Sequence, residues 1–275
     1  VRARERPSRL VILGHPVAHS LSPVFQTAAL RHLGFTTPYE RCDVAPTHLI
    51  ETMAILAREG GGGNVTIPHK EAVAALAQCT AVATRVGAVN TFWHDGDTLV
   101  GHNTDVDGAR ATIRALVPGD ISSVSCAVIG AGGSAAAVLV ALDDLGCRDI
   151  RITSRTLSRA VALIERLQSH ATAFADPERA LDGATLVINA SPVGMTDNAM
   201  PVAPAQLAVG AAVLDLVYRP HLTAWVRACR AAGHPAEDGA RMLLEQGAAA
   251  FECWFGVEAP RAVMAAALHA ARAGP

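Results

Sequence analysis

The residues whose chemistry is easiest to read lie in one run, Cys126-Ala127-Val128-Ile129-Gly130-Ala131-Gly132-Gly133-Ser134-Ala135-Ala136. Its first four residues are small and apolar, as in a buried strand. A glycine turn follows at once, and Ala135 to Leu145, rich in Ala, Val and Leu, reads as a helix. Between a strand and a helix, a G-x-G-x-x-A string is a phosphate cradle. Gly130 permits the tight turn, Gly132 lets the backbone approach a pyrophosphate, and Ala135 keeps helix and strand close. The amides at the helix start, aided by the helix dipole, then face the anion.

The next strand, Asp149 to Thr153, alternates polar and apolar residues and is expected to pair beside the first. A site for NAD places Asp or Glu near the end of this strand, about twenty residues past the glycines, to hold the ribose. Here the run is Ser154-Arg155-Thr156-Leu157-Ser158-Arg159, with no carboxylate and two arginines four apart. Arginine suits the positive end of a helix dipole only when an anion is there, and its fork matches a phosphate. NADP, with its 2′-phosphate, fits this run better than NAD.

Ser20 and Ser22, in His19-Ser20-Leu21-Ser22-Pro23, stand just ahead of a predicted helix. Ser22 is placed to cap it, with Pro23 at the first helical position. Hydroxyls and amides there also suit a carboxylate, so the pair reads either as turn and cap or as an anion site. Lys70 opens another helix, a poor place for a cation against the dipole, which hints at a partner or a job. Asp105 precedes a helix and is a good cap; a cap and a catalytic acid are not exclusive.

The elements that must position these residues alternate. Leu10 to Leu13 and Tyr39 to Val44 read as strands, and Val24 to Leu33 and His48 to Arg58 as helices. Gly60 to Gly63 reads as a loop leading into a short strand that a proline turn ends at Pro68. The helix opened by Lys70 runs to about Gln78. Val86 to Thr91 reads as a strand that continues through Phe92 to a turn over residues 94–97, with Thr98 to Gly101 returning as a hairpin. A helix from about Val106 to Leu116 and a polar boundary element, Pro118 to Ser125, come before the glycine run. Beyond it, helices are expected at Ser158–Gln168, Thr223–Ala232, Met242–Trp254 and Pro260–Ala271, with a helical turn at Pro177–Leu181. Strands are expected at Thr172–Phe174, Thr185–Asn189 and Ala212–Val217. Such alternation implies an α/β chain with mostly parallel sheets. The loop from Asn189 to Met195 then lies at a strand's C-terminal end, where open α/β sheets bind ligands.

Composition narrows the classes. The chain has 275 residues, enough for two domains or one large one, and is 51% hydrophobic and 17% charged, as in an ordinary globule. A net charge of -2 offers no basic field for nucleic acid, and 4% aromatics make no stacking platform for single strands. The six cysteines are scattered without a C-x-x-C, the pattern of reduced thiols in a cytoplasmic protein. The eleven histidines show no H-E-x-x-H and no His/Cys ligand spacing, so no metal is expected. The charged start, residues 1–7, leads into no long apolar run, so neither a signal peptide nor a membrane span is expected.

An ordered series of strings resembles the shikimate dehydrogenase family over nearly the whole length. They are His19-Ser20-Leu21-Ser22-Pro23, Asn64-Val65-Thr66-Ile67-Pro68-His69-Lys70, Gly87-Ala88-Val89-Asn90-Thr91 and Asn103-Thr104-Asp105, followed by the glycine turn and Ser154-Arg155-Thr156. Asn189-Ala190-Ser191-Pro192-Val193-Gly194-Met195, Asp215-Leu216-Val217-Tyr218 and the segment 239–256 with Met242-Leu243 and Gln246-Gly247 complete the series.

The resemblance implies two α/β domains: a substrate-binding domain over residues 1–107, a Rossmann-like NADP-binding domain over 108–238, and C-terminal helices, 239–275, returning to the first. It implies that Lys70 and Asp105 are the catalytic pair, that Ser20 and Ser22 hold a substrate carboxylate, and that Thr66, Asn90, Tyr218 and Gln246 line the substrate pocket. The cofactor, NADP(H), falls to the glycines with Ala131, Ser134 and Ala135, and to Ser154, Arg155, Thr156 and Arg159. Asn189, Ser191, Met195, Val217, Gly239 and Met242 join that set. The implied reaction is reversible reduction of 3-dehydroshikimate to shikimate, a step of chorismate and aromatic amino-acid biosynthesis, in a cytoplasmic monomer or homodimer. Gln26-Thr27, Ser154 and Arg219 depart from the residues the family commonly has there. Quinate or an amino analogue as substrate, and a non-catalytic NADP-binding regulator, therefore stand as alternatives.

Overall fold

A computed structural model describes residues 6–274; the start of the charged N-terminal stretch, residues 1–5, lies outside them. The chain divides into two compact units, one running to Thr104 and resuming at Leu244, the other spanning Asp105 to Leu243.

The first unit contains, in order, β1 (Leu10–Gly14), α1 (Ser22–His32), β2 (Tyr39–Asp43), α2 (Leu49–Arg58), β3 (Gly62–Val65), α3 (Lys70–Leu76), β4 (Gln78–Cys79), α4 (Ala81–Val86), β5 (Thr91–Asp95) and β6 (Thr98–His102). Its sheet has the order β2-β1-β3-β5-β6-β4. β1 is buried along its length and pairs in parallel with both β2 and β3, while β5 is antiparallel to β3 and to β6. Val11, Leu13, Val65 and Phe92 meet Leu49, Met53 and Leu56 of α2 and Val73 of α3 in one apolar cluster.

The second unit follows with α5 (Asp105–Leu116), β7 (Ser125–Ile129), α6 (Gly133–Leu145), β8 (Asp149–Thr153), α7 (Leu157–Leu167), β9 (Thr172–Phe174), α8 (Pro177–Leu181), β10 (Leu186–Asn189), β11 (Ala212–Asp215), α9 (Ala224–Ala231) and β12 (Ala236–Glu237). α10 (Ala240–Phe255) leads back to the first unit, where α11 (Arg261–Ala273) packs on α1. The second sheet is parallel throughout, in the order β12-β11-β10-β7-β8-β9. Counted from β7, this is the doubly wound arrangement, whose order reverses between β7 and β10 and opens a crevice at the strands' C-terminal ends. α6 is apolar on every side, and Ala135 to Leu142 are all buried, as a helix deep in such a fold must be.

Several expectations are corrected. Ser22 does not cap α1: the capping position is Leu21, with no side-chain bond, and it is Ser20 Oγ that accepts the Ser22 amide at 3.3 Å. Residues 62 and 63 are strand, not loop. A Cβ on Gly63 would sit 2.0 Å from the Val11 carbonyl oxygen, so glycine is what lets β3 lie against β1. The strand expected from Val86 begins only at Thr91. Val86 instead ends α4, which Thr80 caps and Gly87 closes in the left-handed conformation. The helix opened by Lys70 ends at Leu76 because Ala77 turns extended and Gln78–Cys79 joins the sheet beside β6. Residues 118–125 fall within the second unit and hold a short 3-10 turn, Ile121–Ser123, ahead of β7.

None of the six cysteines is in a disulfide, and burial pushes the thiols of Cys147 and Cys229 up to about 11. Among the described residues, no helix is long and apolar enough to cross a membrane.

Candidate active site

In the second unit the sequence builds the cradle at the order reversal. β7 ends at Ile129 and the chain turns at Gly130, with φ +117°. A Cβ there would lie 2.8 Å from the Ala190 carbonyl carbon and oxygen, so only glycine lets the turn after β7 pass the loop after β10. Gly132 and Gly133 differ: a Cβ on either would meet nothing within 4 Å. Their missing side chains clear space beside the start of α6, where the first amides have no partner inside the helix.

A cleft of about 650 Å³ opens there, walled by Gly130, Ala131 and Gly132, by Thr153 to Thr156 with Arg159, and by Ser191 to Val193. That volume suits a nucleotide-sized ligand. Arg155 and Arg159 are exposed on the wall, and no carboxylate lies between Thr153 and Arg159. Ser154 Oγ donates to the Thr156 carbonyl at 2.8 Å, shaping the turn that presents Arg155. Thr153 Oγ1, on the same wall, is buried without a hydrogen-bond partner in the protein. The cleared cradle, the orphaned hydroxyl and the two guanidinium groups fit a dinucleotide carrying an extra phosphate.

The other residues expected at the cofactor also belong to the second unit. Asn189 is wholly buried: its Oδ1 accepts from the Ser191 amide at 3.0 Å and hydroxyl at 2.6 Å, and its Nδ2 donates to Asp215 Oδ1 at 2.8 Å. It shapes the loop carrying Ser191. Gly133, Ser134 and Ala135 form the first turn of α6 behind the cradle. Met195 is half exposed and Val217 and Met242 are buried, while Gly239 passes so close to the Leu216 carbonyl that a Cβ would lie 2.2 Å from its oxygen. Arg219 Nη1 donates to the Asp197 carbonyl at 2.6 Å and so pins the outer part of the 191–202 loop. Burial pushes the Asp215 carboxyl above its ordinary value, although Thr223, Asn189 and the Val217 amide all donate to it. Tyr218 is half-buried, and burial raises its phenol.

In the first unit, Ser20 and Ser22 are both buried at the start of α1. Because Ser22 does not cap, its hydroxyl is not committed to the helix. Burial pushes the Tyr39 phenol well up. Tyr39 Oη donates to Asn64 Oδ1 at 2.7 Å, and Asn64 Nδ2 donates to the Asn90 carbonyl at 3.1 Å and to Thr91 Oγ1 at 3.0 Å. Asn90 Oδ1 accepts the Thr104 amide at 2.7 Å, and its Nδ2 donates to Gln246 Oε1 at 3.3 Å. Thr66 is half-buried; its amide donates to the Leu13 carbonyl at 2.8 Å, which ties the turn before Lys70 to β1.

Lys70 is half-buried at the start of α3, and its carbonyl accepts the Val89 amide at 2.9 Å. Asn103 Nδ2 donates to the Ala88 carbonyl at 2.9 Å. One short segment, residues 88–90, therefore holds both the helix that begins with Lys70 and the two residues that precede Asp105. Asp105, half-buried, is the first residue of α5 and of the second unit. The structure thus groups Ser20 with Ser22, Asn90 with Gln246, and the glycines with Arg155 and Arg159. Lys70 and Asp105 belong to different units.

Tyr39, Asn64, Thr91 and Thr104 join this buried network without being among the sequence's candidate site residues. The available signal was Asn64, an amide in a short strand of glycine and valine, where a buried polar group must find partners.

Similarity to known proteins follows the same division. Residues 12–92 match the family model described as the shikimate dehydrogenase substrate binding domain, residues 113–196 that of shikimate / quinate 5-dehydrogenase, and residues 239–269 that of the shikimate 5′-dehydrogenase C-terminal domain. The chain is 42% identical over 260 residues, 92% of each length, to the shikimate dehydrogenase (NADP(+)) of Mesorhizobium japonicum. Among solved structures it is similar to shikimate 5-dehydrogenase of Thermus thermophilus in complex with NADP(H) and shikimate, with a TM-score of 0.87, 36% identity and coverage of 96% of this chain and 99% of that one. Quinate dehydrogenase of Corynebacterium glutamicum in complex with NAD gives a TM-score of 0.88 at 28% identity, covering 97% of this chain and 100% of that one. With three family models met along its length and that degree of identity over nearly all of it, the chain belongs to the shikimate dehydrogenase family.

Proposed function

We propose that the chain is an NADP-dependent shikimate dehydrogenase, interconverting 3-dehydroshikimate and shikimate. The observation that carries this reading is the second unit's cleft, where Arg155 and Arg159 replace the carboxylate an NAD site would use. The first unit binds substrate and the second binds NADP(H).

NADPH, when bound, supplies the hydride that reduces the ring carbonyl. The chain's own task is to hold that carbonyl and manage its oxygen, which gains charge and then a proton. Ser20 and Ser22 take the substrate carboxylate, and Thr66, Asn90, Tyr218 and Gln246 hold the ring. Lys70 Nζ stabilises the developing oxyanion and delivers a proton to it, and the Asp105 carboxylate orients that ammonium. The ties from residues 88–90 to the Lys70 carbonyl and to Asn103 and Thr104 support this pairing. Arg155 and Arg159 bind the 2′-phosphate, with the amides at the start of α6 on the pyrophosphate. The protein works in the cytoplasm, as a monomer or homodimer.

A second reading, with quinate or an amino analogue as substrate, is favoured by Gln26-Thr27 and Arg219, where the sequence leaves the family's common pattern. Following NADPH or NADH formation at 340 nm (roughly the nicotinamide absorbance maximum) with shikimate, quinate and aminoshikimate separates the readings. Faster turnover of quinate, or of NAD over NADP with shikimate, overturns the first one.

A further inference from the structure

Strand β2 carries a row of side chains that the proposed mechanism does not use. Tyr39, Arg41 and Asp43 alternate along it and so share one face. In register they lie opposite Leu10, Ile12 and Gly14 of β1. The last two reach different parts of the segment bearing Ser20 and Ser22, while Tyr39 Oη donates to Asn64 Oδ1 at 2.7 Å. Arg41 Nη2 donates to the Ser20 carbonyl at 2.7 Å. Asp43 Oδ2 accepts the Val17 amide at 3.3 Å, while its Oδ1 lies 2.6 Å from His15 Nδ1. The Ser20 amide in turn donates to the Val17 carbonyl at 3.0 Å. Residues 15–20 are therefore fastened to β2 at both ends.

The arginine is the informative member. β2 is an edge strand, where charged residues ordinarily face solvent and keep other chains from pairing. Its neighbour Glu40 follows that pattern, pointing to the other face and pairing with Arg9 at 3.0 Å. Arg41 is exposed as well, yet its guanidinium lies on a main-chain oxygen of the serine loop. Ser20 has no helix ladder to hold its peptide group, and its hydroxyl is already aimed by the Ser22 amide. The bond from Arg41 is what fixes the other side of that peptide.

We infer that Arg41 is a positioning residue for the substrate's carboxylate, acting through the Ser20 carbonyl to keep the Ser20 hydroxyl in one fixed arrangement. The inference rests on the reading that these serines hold a carboxylate. Arg41 touches no reacting atom, so its loss weakens substrate binding and leaves the hydride step alone. Because it acts through Ser20, its effect disappears once the Ser20 hydroxyl is gone.

The test is steady-state kinetics with shikimate and NADP, together with NADPH binding by fluorescence, on Arg41→Ala, Arg41→Lys, Ser20→Ala, Ser22→Ala and the Ser20→Ala/Arg41→Ala double variant. Arg41→Ala is expected to raise KM for shikimate about tenfold, the loss of roughly one charge-assisted bond. Its kcat should stay within about twofold and its NADPH affinity unchanged. Arg41→Lys keeps an N–H donor and should recover most of the loss. The double variant should show the KM of Ser20→Ala alone. Methyl shikimate, which lacks the anion, should be handled equally by wild type and Arg41→Ala. If Ser22→Ala raises KM and Arg41→Ala does not, the positioning role is wrong and the carboxylate reading stands. If neither changes KM, both fall. Multiplying losses in the double variant, or a fall in kcat that matches the rise in KM, also overturn the inference. Should Arg41→Ala not fold, Arg41→Gln is put through the same comparisons.

Discussion

Asn90 and Gln246, 156 positions apart in the chain, share a buried hydrogen bond, Asn90 Nδ2 donating to Gln246 Oε1 at 3.3 Å. It joins the segment before β5 to α10, so the returning C-terminal part closes a polar network begun within the first hundred residues. Asn90 is the hub: its Oδ1 also accepts the Thr104 amide at 2.7 Å and the Thr91 and Thr104 hydroxyls at 3.0 and 3.2 Å.

Removing that hub strands several buried groups at once. A buried polar group left unpaired costs about 1–3 kcal/mol, so Asn90→Ala is expected to lose at least about 2 kcal/mol of unfolding free energy in urea. KM for shikimate should rise with it, while NADPH binding, proposed for the second unit, should persist. Stability within about 0.5 kcal/mol of wild type would show that water replaces the amide without loss.

The cofactor assignment rests on Arg155. Its exposed guanidinium stands on the cleft wall beside Thr156, with Arg159 one helical turn on. Arg155→Ala should weaken NADP binding by about 1.5–3 kcal/mol, the range for hydrogen bonds to charged groups, and weaken NAD binding far less. Equal losses for both cofactors in a fluorescence titration would remove the arginine from the 2′-phosphate.

What the sequence made legible was local. The glycine turn, the pairing of β7 with β8 and the hairpin of β5 with β6 each follow from a short pattern of period and turn residues. Val86 and Val89 suggest a strand that the fold does not form, although Thr80 and Gly87 are adequate cap signals for α4. Gly62 and Gly63 carry no side-chain pattern at all. Only the approach of the Val11 carbonyl, from a strand far earlier in the chain, makes that run a strand. The same holds for the polar contacts of β2: Arg41 and Asp43 look like ordinary edge-strand residues until the sheet brings residues 15–20 across them.

Asp215 gives a pH prediction whose sign follows from burial. The carboxyl is buried in the second unit, and burial raises its pKa despite its three donors. As pH rises from below the ordinary aspartate value, the unfolded chain ionises first while the folded carboxyl keeps its proton. The folded state then binds more protons, so this group's contribution to stability falls until pH passes the folded pKa, and is constant above it. Asp215→Asn does not titrate. Its stability measured against wild type should therefore improve as pH rises through that window, in urea unfolding followed from acid to neutral pH. A gap that moves the other way would mean that the three donors outweigh burial.

The last prediction concerns Lys70 and Asp105, each the first residue of a helix, α3 and α5. A cation at a helix start opposes the dipole, and a carboxylate there suits it. Lys70 thus sits where its charge is least welcome unless a counter-charge or an anionic transition state is supplied. If the two act as one acid–base unit, removing either should cost about 10²–10⁴-fold in kcat. The losses should not multiply, because each residue works through the other. NADPH affinity should stay near wild type in Lys70→Ala, Asp105→Asn and the double variant, since neither side chain is assigned to the cofactor. Single-turnover hydride transfer, followed by NADPH absorbance, reads the chemical step apart from product release. Equal, severe losses in all three variants support the pair. A double-variant loss equal to the product of the single losses would mean independent roles. Near-normal turnover in Lys70→Ala would make that lysine a solvated charge, and the proton donor would then have to come from another group in the active site.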